Sequence, residues 1–182
     1  MESSKKRLNR EEVLASVSGG RSLAGADLVG IDLSGTDLSG GDFRGADLTG
    51  ADLSGANLAG ADFSEAGLER ANLTSASCRG VLMPLAVLGL ADLSGDDFSE
   101  ADLRRANLVG SLARETDFTG ARFYYSRPGN ADWSGANFSG ADLTRAVLRR
   151  AVLRGARLEG ADLSSAVLEH ADLRGTALEG KV

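Results

Sequence analysis

A large apolar residue returns at every fifth position of this chain, from Leu23 to Leu178, without a slip. Of the 32 positions in the series, Leu takes 21 and Phe six, with Met83 and Trp133 filling two more. Only Cys78, Ala113 and Pro128 depart. Two residues before most large positions stands a small one, Ala in 22 of the 32 cases. Asp or Asn usually lies between them, and polar residues or Gly follow, as in Ala46-Asp47-Leu48-Thr49-Gly50. A period of five fits neither a helix nor a flat strand, so the chain must turn a corner in every repeat. One large and one small side chain per corner suit a narrow tube of stacked coils. Each coil would bury its neighbour at about 4.8 Å per layer.

The motif Ala-Asp/Asn-Leu/Phe-x-x resembles that of the pentapeptide-repeat family over roughly residues 21–180. The resemblance implies an all-β fold, a right-handed quadrilateral β-helix of about eight coils, with large and small positions pointing inward. Four repeats per coil would stack side chains 20 residues apart. One such column reads Leu23, Phe43, Phe63, Met83, Leu103, Phe123, Leu143, Leu163; another reads Leu38, Leu58, Cys78, Phe98, Phe118, Phe138, Leu158, Leu178. All six Phe fall in these two columns. Trp133 follows Ala113 in a third column, where a large residue would fill space left by a small one.

Residues 1–20 lie outside the repeat. Asn9 with Glu12 reads as a capping box, Leu8 with Val13 as a hydrophobic staple, and Gly19-Gly20 as a helix stop, which predicts a short helix closing the N-terminal end. Lys5, Lys6 and Arg7 precede no apolar stretch, no apolar run approaches membrane-spanning length, and the expected location is cytoplasmic. At the other end Leu178 occupies the last large position. Val147, Val152 and Val167 replace Asp or Asn nearby, which predicts a homodimer through that end.

The residues carry little chemistry. The only His is His170, and Cys78 is the only Cys, sitting in an inward position as an apolar filler, so no metal site or cofactor is expected. Ser recurs at corners with no base beside it. Asp96 and Asp97 form a carboxylate pair expected on the outer surface. No enzymatic activity is assigned.

The charges are unevenly shared. Residues 21–100 carry thirteen acidic and four basic groups, whereas residues 101–182 carry ten acidic and twelve basic. On the tube the acidic half presents Asp27, Asp32, Asp37, Asp42, Asp47, Asp52, Asp62, Asp92 and Asp97 outward. Such Asp can simply hydrogen-bond the local turn. The resemblance implies more: some family members mimic duplex DNA and bind DNA gyrase or topoisomerase IV, protecting it from poisons. Duplex DNA carries one charge per about 1.7 Å, so the acidic half is comparable with DNA and the other half is not.

Two irregular segments are further contact candidates. In residues 81–90, Leu82, Leu85, Val87 and Leu90 occupy outward positions, unless Pro84 bends the coil and they tuck together. In residues 121–130, Tyr124, Tyr125 and Arg127 face out and Pro128 predicts a bulged loop. The reading is a protein-binding rod, specifically one directed at gyrase or topoisomerase IV, the alternative being a scaffold repeat with another protein partner. Direct nucleic-acid binding through Arg145, Arg149, Arg150, Arg154 and Arg157 is the weakest of the three, since these arginines spread over successive faces.

Overall fold

A computed structural model describes residues 7–181. The segment holding Lys5 and Lys6 lies outside the described residues. Parallel β-bridges link residues 20 apart down four columns, so one coil is four repeats and the tube has four walls. The first wall runs through Asp42, Asp62, Leu82, Asp102 and Arg122; the second runs through Asp27, Asp47, Gly67, Val87, Asn107 and Arg127. The third passes through Asp32 and Asp52, the fourth through Asp37 and Asn57.

Each repeat places nearly all its backbone donors. Around Leu48, the Asp47 N–H donates to Ala26 O of the previous coil, while Leu48 and Gly50 donate to Gly67 O and Glu69 O of the next. Ala51 N–H closes the corner on Leu48 O at 2.9 Å. The third residue of this turn, Gly50, has φ +66°, as a type II turn requires. The same positive φ recurs at every residue number divisible by five from Gly20 to Gly180, including fourteen that are not glycine. One donor per repeat remains, and its partner explains the Asp: Thr49 N–H donates to Asp47 Oδ1 at 3.0 Å.

The large positions fill the tube. Phe43 and Phe63 stack at 4.6 Å and 2°; Phe98, Phe118 and Phe138 follow one another at 5.6 and 5.1 Å. All are fully buried, as is Cys78. At the N-terminal end, α1 (Arg10–Ser18) has the capping box, Asn9 and Glu12 exchanging bonds of 2.9 and 3.0 Å. Its Val13 is fully buried and joins the tube's core.

Three expectations need correction. Pro128 makes no bulge: it sits buried in its large position, and the repeat keeps its shape. Only the bridge between Arg127 and Val147 is missing, because proline has no N–H to donate to Val147 O. Pro84 does not bend the coil, for Leu82 bridges both Asp62 and Asp102. Here Leu82 replaces the accepting Asp in the same repeat in which Pro84 removes the donor, so nothing is left unpaired. Finally, Asp96 is not on the surface. It occupies the small position before Phe98 and is 3% exposed.

Candidate functional surface

The outer walls are what a partner would meet. All nine Asp of the expected acidic face accept the N–H of the residue two further on, at 2.9–3.3 Å. Each therefore closes its own turn. Asp32, Asp37, Asp47 and Asp97 are exposed, and the other five half-buried. The bonds favour the charged form: the hydroxyls and N–H groups of Ser34 and Ser39 hold Asp32 and Asp37 below the ordinary carboxylate range. Arg44 and Ser22 push Asp42 lower still. Asp27 and Asp47, Asp32 and Asp52, and Asp42 and Asp62 stack directly, whereas Asn57 Nδ2 donates to Asp37 at 3.0 Å and Asn72 Nδ2 to Asp52 at 3.2 Å.

Asp96 adds little to that charge at neutral pH. Burial pushes its pKa up to about 8, against the pull of the Ala76 N–H on its Oδ1 at 2.8 Å, and its Oδ2 has no partner. The sequence carried a signal for this, since residue 96 lies two before Phe98, in the inward small series. Burial likewise raises the Cys78 thiol, which makes it a poor nucleophile.

In the irregular segments, Leu82, Leu85, Val87 and Leu90 are exposed. Tyr125 is exposed, but Tyr124 is half-buried and meets it edge-on at 4.5 Å. Arg127 is exposed. Sequence reasoning missed Val109, exposed at the corner beyond Leu90. Towards the C-terminal end, Val147, Val152, Val167 and Leu178 are half-buried. His170 is exposed, 3.6 Å from Glu169. Among the described residues no group of three or more His, Cys, Asp or Glu could hold a metal, and no helix is long and apolar enough to cross a membrane.

Comparison with known proteins gives the same architecture a family. The model for pentapeptide repeats matches residues 22–55, 51–89, 97–127, 129–160 and 141–180. Among solved structures, HetL, a pentapeptide repeat protein involved in heterocyst differentiation regulation from the cyanobacterium Nostoc, is 27% identical over 93% of this chain and 97% of its own, with a TM-score of 0.36. A pentapeptide repeat protein of the Arabidopsis thaliana thylakoid lumen is 37% identical over 58% of this chain and 70% of its own, at a TM-score of 0.44. QnrB1, a plasmid-mediated fluoroquinolone resistance protein, is 22% identical over 82% of this chain and 88% of its own, at 0.45. None of the curated proteins compared matches the chain. With the repeat model covering nearly every coil, this chain belongs to the pentapeptide-repeat family, whose fold is a right-handed β-helix solenoid.

Proposed function

We propose that the chain is a protein-binding rod whose acidic first coils occupy the DNA-binding surface of a type II topoisomerase, DNA gyrase or topoisomerase IV. The observation that supports this is charge density. Residues 23–62, two coils, carry seven Asp and one Arg, a net of −6. Two coils span about 10 Å, over which duplex DNA carries about six charges. With Asp96 buried and largely protonated, the density thins beyond these coils.

The test is a supercoiling assay with purified gyrase, with and without a quinolone. Inhibition or protection by the wild type, lost when Asp27, Asp42, Asp47 and Asp52 are changed together to Asn, supports the reading. Asn keeps the acceptor that closes each turn and removes only the charge. No effect over a wide concentration range returns the chain to the scaffold reading with a different protein partner.

A second reading concerns the last coil, whose lining residues Leu163, Leu168 and Leu178 are only partly buried. A second copy stacked there would cover them. A monomeric mass by sedimentation at micromolar concentration removes it.

A further inference from the structure

Among the described residues the large apolar side chains exposed on this rod are Leu82, Leu85, Val87, Leu90, Val109 and Tyr125. All six lie on the first two walls or the corners that follow them, within neighbouring coils. Leu82 and Val87 are bridge residues of these walls, Leu85 and Leu90 the corners after them. Leu90 N–H donates to Val109 O, which fixes those two as neighbours across a coil boundary. Such clustering is not what scattered surface apolar residues give.

The arginines without a carboxylate partner keep to the same two walls, although Arg44, Arg70, Arg104 and Arg149 there are paired. On the third and fourth walls, Arg79, Arg114, Arg154, Arg157 and Arg174 each have a carboxylate within 4.0 Å. Among the described residues Arg105, Arg122, Arg127, Arg145 and Arg150 have none, and all five belong to the first two walls and their corners. Arg145 instead lies over the Tyr125 ring, 5.3 Å from its centroid, and donates to the Tyr125 hydroxyl. Down the columns the character changes: Asp62 leads to Leu82, then Asp102 and Arg122; Glu65 to Leu85 and Arg105; and Asp47 through Gly67 to Val87, Asn107 and Arg127.

We infer that these two walls are a docking surface for an acidic protein segment bearing projecting apolar side chains. The apolar belt buries the partner's hydrophobic groups, and Arg105, Arg127, Arg145 and Arg150, one to three coils on, receive its carboxylates. A nucleic acid fits less well, because its phosphates repeat along its whole length and would have to cross Asp62, Glu65 and Glu69 beside the belt, whereas a short acidic segment can end at the belt. Leu85 and Leu90 stand at φ +63° and +60°, where leucine is disfavoured by about 1 kcal/mol or more and glycine is at ease. The corner conformation does not call for them. This inference is independent of the topoisomerase reading, which uses the carboxylates of the first coils.

Fluorescence polarisation with the full chain tests it. The probes are a labelled short peptide alternating Glu with Leu and Phe, its Lys-for-Glu and Ser-for-apolar counterparts, and a short DNA duplex. The acidic apolar peptide is expected to bind about tenfold or more tighter than either counterpart, and to weaken as salt rises. Leu85→Gly with Leu90→Gly should reduce that binding about tenfold while relieving corner strain, so the loss would not be unfolding. Arg127→Gln with Arg145→Gln should reduce it and flatten the salt dependence. Equal binding of all peptides, or unchanged binding by the glycine variant, overturns the inference. So does tighter binding of the duplex, which would give the surface to nucleic acid, or self-association abolished by the glycine variant, which would give it to a second copy.

Discussion

The indole Nε1 of Trp133 donates to Ser111 Oγ at 3.1 Å, both residues being fully buried. Ser111 belongs to the coil before, two residues from Ala113, so the indole reaches back into the layer where the large position is filled by alanine. The ring also meets Phe118, Phe123 and Phe138 at 5.4–5.5 Å. A small residue in one layer and an oversized one in the next are thus two halves of one packing solution, and the small-position serine satisfies the indole N–H that burial would otherwise strand.

That relationship predicts strong coupling. Ala113→Leu alone overpacks the layer and should cost roughly 1–3 kcal/mol. Trp133→Leu alone leaves a cavity and an unpaired Ser111 hydroxyl, at a similar cost. The double variant restores two ordinary repeats, and its urea midpoint should lie above that of either single variant. A double-mutant cycle checks it, and strict additivity would refute the packing account.

Gly41 occupies a small position that is alanine in most other repeats. A Cβ there would lie 2.6 Å from Phe43 Cε2 and 3.0 Å from Leu38 O. The Phe43 ring is itself held against Phe63. Gly41→Ala should therefore destabilise the protein by roughly 1–3 kcal/mol, although it moves the sequence towards its own consensus. A raised thermal midpoint would show that the ring has room to shift.

The corners give a cleaner torsional test. At Gly50 an added Cβ meets nothing within 4 Å, yet φ is +66°. Gly50→Val should cost about 1–2 kcal/mol from backbone conformation alone. Glu65, at φ 60°, should gain up to about 1 kcal/mol on change to Gly. Paired thermal melts of the two variants should move in opposite directions.

Asp96 makes stability depend on pH with a defined sign. Its folded pKa of about 8 lies above the ordinary 3.8, so the folded chain holds a proton that the unfolded chain releases between these values. The stability present below about pH 4 is lost progressively as pH rises through about 8. Asp96→Asn keeps the acceptor for the Ala76 N–H and cannot ionise. Between pH 5 and pH 9 its urea midpoint should fall less than that of the wild type; equal falls would mean that Asp96 is not buried as a neutral acid.

Much of this was legible in the sequence. The capping box of Asn9 and Glu12 is a local contact, and it forms as the spacing suggests. The inward places of Phe98, Phe118 and Phe138 follow from the period. Asp96 was misplaced because its residue type outweighed its position in the count. The bulge expected at Pro128 failed because proline's cost here is a single ladder bond, which the neighbouring coils tolerate.

By itself the sequence determined the repeat: a corner every five residues, a large and a small side chain turned inward, and an Asp or Asn beside them. Each repeat meets these needs within its own few residues, so a linear pattern can express them. The grouping of residues 20 apart on one wall was implied by the family resemblance, and the tertiary structure decided what those neighbours do to one another. That Leu85 shares a corner column with Arg105 and Arg145, or that Trp133 reaches Ser111, depends on where the winding brings residues about 20 apart together. Such neighbours exist only once the coil has closed.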